Sequence, residues 1–198
     1  GRRATDPLVQ ALETLLALPQ SRLAVSDLLD LLEVPALRRR FGLGEDELPR
    51  LHRWLRGANI RWGLHAEQRT SLDLPDRPER TTQHTWRFGL RRMLLGYAVG
   101  QEAQSWQGIE PFDEIGGLDA ALLGPLVRLL DKLDATWRQL REPATVAAWC
   151  DRLRTLMADF LAPEDSHDAF TLLQLDTALQ QWQEVCDEAG LTESLPLS

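Results

Sequence analysis

Arginine brings this chain closest to a chemistry, and the chemistry is the binding of phosphate. A planar guanidinium offers paired N–H donors at the spacing of phosphate or carboxylate oxygens. Arg38, Arg39 and Arg40 are consecutive, Arg50, Arg53 and Arg56 recur at i, i+3, i+6, and Arg61 follows; Arg77, Arg80, Arg87, Arg91 and Arg92 form a second group. Consecutive helical residues point about 100° apart, so the first run cannot turn all three side chains to one phosphate. Three destinations are open to these groups: a nucleic-acid backbone, a partner subunit, and a solvated face with internal pairs to Glu45, Asp46 and Glu47. Trp62 lies between Arg61 and Gly63 outside any clear helical pattern, where an indole either stacks on a base or packs its own loop. The candidate DNA-binding set is therefore Arg38, Arg39, Arg40, Arg61, Trp62, Arg87, Arg91 and Arg92.

Other chemistries lack their residues. A Walker A loop needs Gly-Lys-Ser/Thr, and Lys132, the single lysine, sits in Leu130-Asp131-Lys132-Leu133. The same context excludes a Glu-x-Lys nuclease centre. His52, His65, His84 and His167 are scattered, without a His-Glu-x-x-His pair or a nearby cysteine, so no metal site is expected. There is no Gly-x-Ser-x-Gly elbow. Asp113-Glu114 and Glu164-Asp165 fall in expected loops and read as solvated surface. We expect no catalytic residue, no cofactor and no enzymatic activity of the chain by itself.

The net charge of -8 argues against a dedicated sequence-independent DNA binder, because such proteins gain affinity by neutralising phosphates. The total hides an asymmetry: residues 1–100 hold 16 basic and 12 acidic side chains (+4), and residues 101–198 hold 6 and 18 (-12). Two halves of opposite sign are expected to face different surroundings. Cys150 and Cys186 have no framework spacing and read as reduced thiols. No apolar run approaches the roughly 18 residues needed to cross a bilayer, and there is no basic-then-apolar leader. A cytoplasmic location without membrane contact is expected. The chain opens on Gly1 rather than Met and closes on Leu195-Pro196-Leu197-Ser198, which reads like the approach to another element, so both ends are expected to be cut.

The elements that must carry these residues are helical. Leu supplies 39 residues against ten for Val and Ile together, which favours helix over strand. Asp6 and Pro7 open a helix with Leu8, Leu12, Leu15 and Leu16 on one face. Ser26 is the expected cap of a second, which stops before Pro35, and a short basic helix runs to Phe41 and Gly42. Asp46 is the expected cap of the next, which turns Leu48, Leu51 and Leu55 inward and ends at Gly57. Residues 58–84 show no sustained helical period and read as irregular, with a possible sub-boundary at 70–84 inside a single domain of 1–198.

Thr85 is the expected cap of a helix whose stripe is Trp86, Leu90, Met93, Leu94 and Tyr97, with Gly89 and Gly96 permitting close helix approach. A long stripe from Leu118 to Leu140 is interrupted at Pro125, and two further helices are expected at Thr145–Leu161 and about Asp168–Ala189. Trp86, Trp137, Trp149 and Trp182 fall on apolar helical faces and are expected in the core. The expectation is an all-α domain of seven or eight helices.

Two stretches resemble a known family: Ala58-Asn59-Ile60-Arg61-Trp62-Gly63-Leu64, and His84-Thr85-Trp86-Arg87-Phe88-Gly89-Leu90 running into Met93-Leu94-Leu95-Gly96-Tyr97-Ala98. In that order and separation they are similar to the gamma chain of exodeoxyribonuclease V, the RecC family, and Leu31 to Gly42 agrees. The resemblance implies a superfamily-1 helicase-like fold without an ATP site, here its inserted 2B subdomain with the adjoining edge of 2A. It also implies RecB-like and RecD-like partner subunits, double-stranded DNA ends and split single strands. Two roles follow from it: a non-catalytic domain guiding DNA, with arginines on the backbone, or a subunit-docking scaffold without DNA contact.

Overall fold

The structure, a computed structural model, describes residues 6–72, 82–99, 109, 112 and 121–197. Nine α-helices and one 3-10 turn occur among these residues: α1 Pro7–Leu16, α2 Val25–Leu32, α3 Pro35–Phe41, the 3-10 turn Glu45–Glu47, α4 Leu48–Gly57, α5 Ala66–Ser71, α6 Trp86–Val99, α7 Leu123–Arg141, α8 Val146–Phe160 and α9 Ser166–Glu188. The described residues form no strand, only isolated bridges at Ala24–Trp62 and Ala144–Leu195. The fold is all-α. The expected sub-boundary at 70–84 lies largely outside the described residues.

Local signals set most helix starts. Asp6 accepts from Leu8 N at 2.9 Å with Pro7 in the first turn, Thr145 accepts from Ala148 N at 3.3 Å, and Asp165 accepts from Asp168 N at 2.9 Å. Each side chain satisfies a backbone donor that a helix terminus leaves without a partner. Replacing Thr145 by Ala is expected to lower stability by about 1 kcal/mol in a urea titration; no measurable change would mean that this cap contributes nothing.

The expected caps failed at two helices. α2 starts at Val25, and Asp27 rather than Ser26 secures it by accepting from Ala24 N at 2.8 Å. Glu47 closes the 3-10 turn before α4 by accepting from Gly44 N at 2.7 Å, and α4 itself starts without a side-chain cap bond, so Asp46 does not cap it. In both cases a carboxylate three residues into the turn reaches back to the entering N–H, as in the acidic half of a capping box.

α7 lies at the centre. Leu126, Leu129, Leu133 and Trp137 are buried on it, and α3, α6, α8 and α1 all pack against it. The buried apolar side chains form one continuous cluster from Leu8 to Leu161. α9 contacts mainly α8, and Thr171 is its single buried residue. Three stripe residues expected inside are not: Leu94 is 41% exposed, Tyr97 54% and Trp182 40%. Their periodicity is real, but among the described residues nothing covers those ends of α6 and α9.

Candidate nucleic-acid interface

The two stretches that carry the family resemblance interlock. Residues 58–64 thread between the turn at 21–25 and the start of α6, with Leu23, Asn59, Gly63 and His84 at positive φ. Trp86 N donates to the Gly63 carbonyl at 2.9 Å and Arg87 N to the Leu64 carbonyl at 3.0 Å, while Phe88 N bonds Thr85 Oγ1 at 3.2 Å. The first turn of α6 is thereby satisfied within the chain, so any anion held there must be held by side chains. The Trp86 indole reaches across to the Leu23 carbonyl at 2.9 Å.

Gly89 and Gly96 are required by close approach, but to loop residues rather than to another helix: the Ile60 side chain at Gly89 and the Phe112 backbone at Gly96. A Cβ on Gly89 would stand 2.3 Å from the Ile60 side chain, and one on Gly96 would strike the Phe112 carbonyl. No side chain larger than hydrogen fits at either point while those neighbours hold their places.

α5, a single short helix inside the stretch expected to be irregular, completes the support. His65 is its N-cap: Nδ1 accepts from Gln68 N at 3.2 Å, which leaves the proton of a neutral ring on Nε2, facing Asp134 Oδ1 at 2.7 Å. Gln68 is fully buried and accepts from Leu64 N at 2.6 Å. Arg69 donates to the Trp62 and Gln83 carbonyls at 2.7 and 2.8 Å and lies 4.2 Å over the Trp62 ring. Burial holds its guanidinium below the usual value. Trp62 is half-buried, with one face taken by Arg69.

These contacts shape a cleft of about 290 Å³ between α5, α6 and α7, lined by Arg87, Arg91, Arg138, Glu67, Thr85 and Phe88 among others. Asp134 lines the adjoining pocket rather than the cleft, and holds three of the cleft's residues: His65 at 2.7 Å, Arg138 at 3.3 Å and Arg87 at 3.4 Å. Arg138 also grips Glu67 with two bonds at 2.9 and 3.3 Å. Hydrogen bonding to Glu67, with Asp134 beside it, raises the Arg138 guanidinium above its usual value. The cleft thus presents three arginines and one carboxylate, Glu67, with Asp134 bonded to two of the arginines, and Arg91 is exposed with no ion pair among the described residues.

The eight sequence-proposed residues separate. Arg87 and Arg91 share the cleft, whereas Arg92 turns to donate to the Ala58 carbonyl at 3.0 Å. Arg61 is exposed beside the α6 N-terminus, its N–H bonded to the His84 carbonyl at 3.0 Å. Arg38 is buried: it donates to the Leu32 carbonyl at the end of α2 at 2.8 Å and approaches Glu45 at 3.8 Å. Arg39 is exposed on the same helix, and Arg40, also exposed, donates to the Ala158 carbonyl of α8 at 2.9 Å. No contact joins Arg38 to Arg40 with the cleft. Arg138, Asp134, His65 and Glu67 were missed by sequence reasoning; the i, i+4 spacing of Asp134 and Arg138 on α7 was the one signal available.

No group of three or more His, Cys, Asp or Glu among the described residues has metal-holding geometry, and none of their helices is long and apolar enough to cross a membrane.

The RecBCD enzyme subunit RecC of Escherichia coli (strain K12) is 38% identical over 200 residues, covering 99% of this chain and 17% of that protein. The corresponding subunit of Mycolicibacterium smegmatis is 35% identical over 162 residues, 81% of this chain and 14% of its own length, and that of Haemophilus influenzae 32% identical over 171 residues, 86% and 14%. The chain therefore spans less than a fifth of the length of these relatives. A family model described as the RecBCD enzyme subunit RecC fourth domain matches residues 5–198, and with it the chain belongs to the RecC family.

Proposed function

We propose that this chain is a non-catalytic, helicase-like domain of a RecC-type subunit, supporting DNA-end binding, strand guidance and assembly with RecB-like and RecD-like subunits in double-strand break repair by recombination. Its place in a superfamily-1 architecture is the inserted 2B subdomain with the adjoining edge of 2A, in a cytoplasmic complex. The observation that carries the DNA reading is a set of arginines in the basic half: Arg39, Arg53, Arg56, Arg61 and Arg91 are exposed and, among the described residues, make no ion pair. With Arg87 and Arg40 they offer guanidiniums to a phosphate backbone without competing carboxylates at every position. Such contacts position a strand and carry no sequence information.

A salt titration tests it. Changing Arg39, Arg40, Arg61, Arg87 and Arg91 to Ala in the whole subunit is expected to weaken duplex-end binding, lowering the log-log salt slope by about one per lost contact. Assembly of the complex is expected to survive. Lost assembly with an unchanged slope would replace the DNA reading by a second one, a docking scaffold. That second reading is favoured by α9, where Phe170 is 56% exposed, Leu173 62% and Val185 63%.

A further inference from the structure

Glu67 is the informative neighbour in the cleft between α5, α6 and α7. Its carboxylate bonds both terminal nitrogens of Arg138, at 2.9 and 3.3 Å, the arrangement in which a guanidinium also takes two phosphate oxygens. The Glu67 side chain is 56% exposed, and α5 is anchored without it, through buried His65, Gln68 and Arg69. An exposed ion pair of this kind contributes little to stability, so an incoming phosphate can take its place. Two further guanidiniums stand ready: Arg87 and Arg91 are one turn apart on α6, and Arg91 makes no ion pair among the described residues.

Size and lining narrow the ligand. The cleft encloses about 290 Å³, at the small end of the range of about 300–1,000 Å³ for small-molecule sites. That is room for one nucleotide. Half-buried Phe88 is the one phenyl ring in the lining. A base paired in a duplex cannot reach such a ring, whereas an unpaired base stacks on it while guanidiniums take the phosphate. A carboxylate from another protein would replace Glu67 only by its like and leave Phe88 unused.

We propose that this cleft holds one nucleotide of an unpaired strand, its phosphate on Arg91 and Arg138 and its base against Phe88, and that Glu67 occupies the phosphate position in the free protein. The proposal rests on the DNA reading above and deepens it, naming the unpaired strand as ligand and the cleft as its site.

The test uses the full-length subunit and three probes of equal length: a dT oligonucleotide, an abasic strand and a blunt duplex. Arg91→Ala is expected to weaken dT binding about fivefold or more and to lower its log-log salt slope by about 0.7, the value for one phosphate of a single strand. The blunt duplex should change less. Glu67→Gln keeps the shape and removes the competing charge, so it is expected to tighten dT binding about threefold with the melting temperature unchanged. Phe88→Leu is expected to weaken dT binding and to leave the abasic strand as it was, since stacking needs a base. Equal affinity of the unaltered subunit for dT and the abasic strand overturns the base contact, whatever Phe88→Leu does to folding. Equal changes on dT and the blunt duplex would put paired backbone at the cleft, which overturns the proposal and leaves the DNA reading intact. Unchanged dT binding in both Arg91→Ala and Glu67→Gln also overturns it, and altered assembly with the partner subunits in those variants would identify an acidic protein segment as the occupant. Failure of the DNA reading itself is distinct: the five-arginine variant would then leave the salt slope unchanged on every probe.

Discussion

Trp86→Ala is expected to lower the unfolding free energy by about 3–5 kcal/mol, the range for deleting a fully buried large aromatic. Trp86 is 0% exposed and sits where the two family-bearing stretches meet. Its indole N–H also supplies the donor for the Leu23 carbonyl, at a residue with φ of 44°. Most domains are stable by only about 5–15 kcal/mol, so the variant should lose a large part of its margin. Trp86→Phe separates the two contributions: it keeps most of the apolar volume and abandons the hydrogen bond, for an expected cost of about 1–3 kcal/mol. Urea denaturation reads both. A loss below about 1 kcal/mol for Trp86→Ala would mean that the interlock of 58–64 with α6 does not hold the fold together.

The second large effect belongs to Asp134. Its side chain is 17% exposed and takes His65, Arg87 and Arg138 at once. Asp134→Ala strips the acceptor from the His65 Nε2–H, which is 11% exposed with its partner at 2.7 Å. The expected loss is about 2–3 kcal/mol, because a buried donor left without an acceptor bears its full desolvation cost. The DNA reading makes a further prediction of opposite sign. Removing that carboxylate frees Arg87 and leaves Arg138 paired with Glu67 alone, so duplex-end affinity is expected to rise while stability falls. Asp134→Asn keeps an oxygen for His65 and should recover stability. Both quantities falling together would show that the cleft arginines do not face phosphate.

Helices with their own apolar period were legible from sequence. α1, α8 and α9 start within two residues of the expected positions, because Asp6, Thr145 and the 165–168 stretch act on backbone groups within one turn of themselves. α5 was not legible. Its six residues, Ala66–Ser71, have no apolar stripe, and it is held by buried Gln68 and Arg69, whose partners lie at Ser21, Leu64, Trp62 and Gln83. A helix anchored by polar side chains to distant carbonyls leaves no periodic trace. The same limit explains Leu94, Tyr97 and Trp182: period tells which side of a helix is apolar, and only neighbours decide whether that side is covered.

For the arginines the division is sharper. Residue type and clustering alone established a surplus of guanidiniums in the first half and their fitness for phosphate. The tertiary structure decided which of them are available. Arg38 and Arg39 are adjacent and chemically identical, yet Arg38 is turned inward to the orphan carbonyl that ends α2 while Arg39 faces solvent. His65 and Asp134 are 69 residues apart, and meet because the start of α5, the first turns of α6 and the middle of α7 line one small pocket. A guanidinium bonds whichever oxygen the fold brings within about 3 Å, and that proximity is a property of packed elements rather than of local sequence.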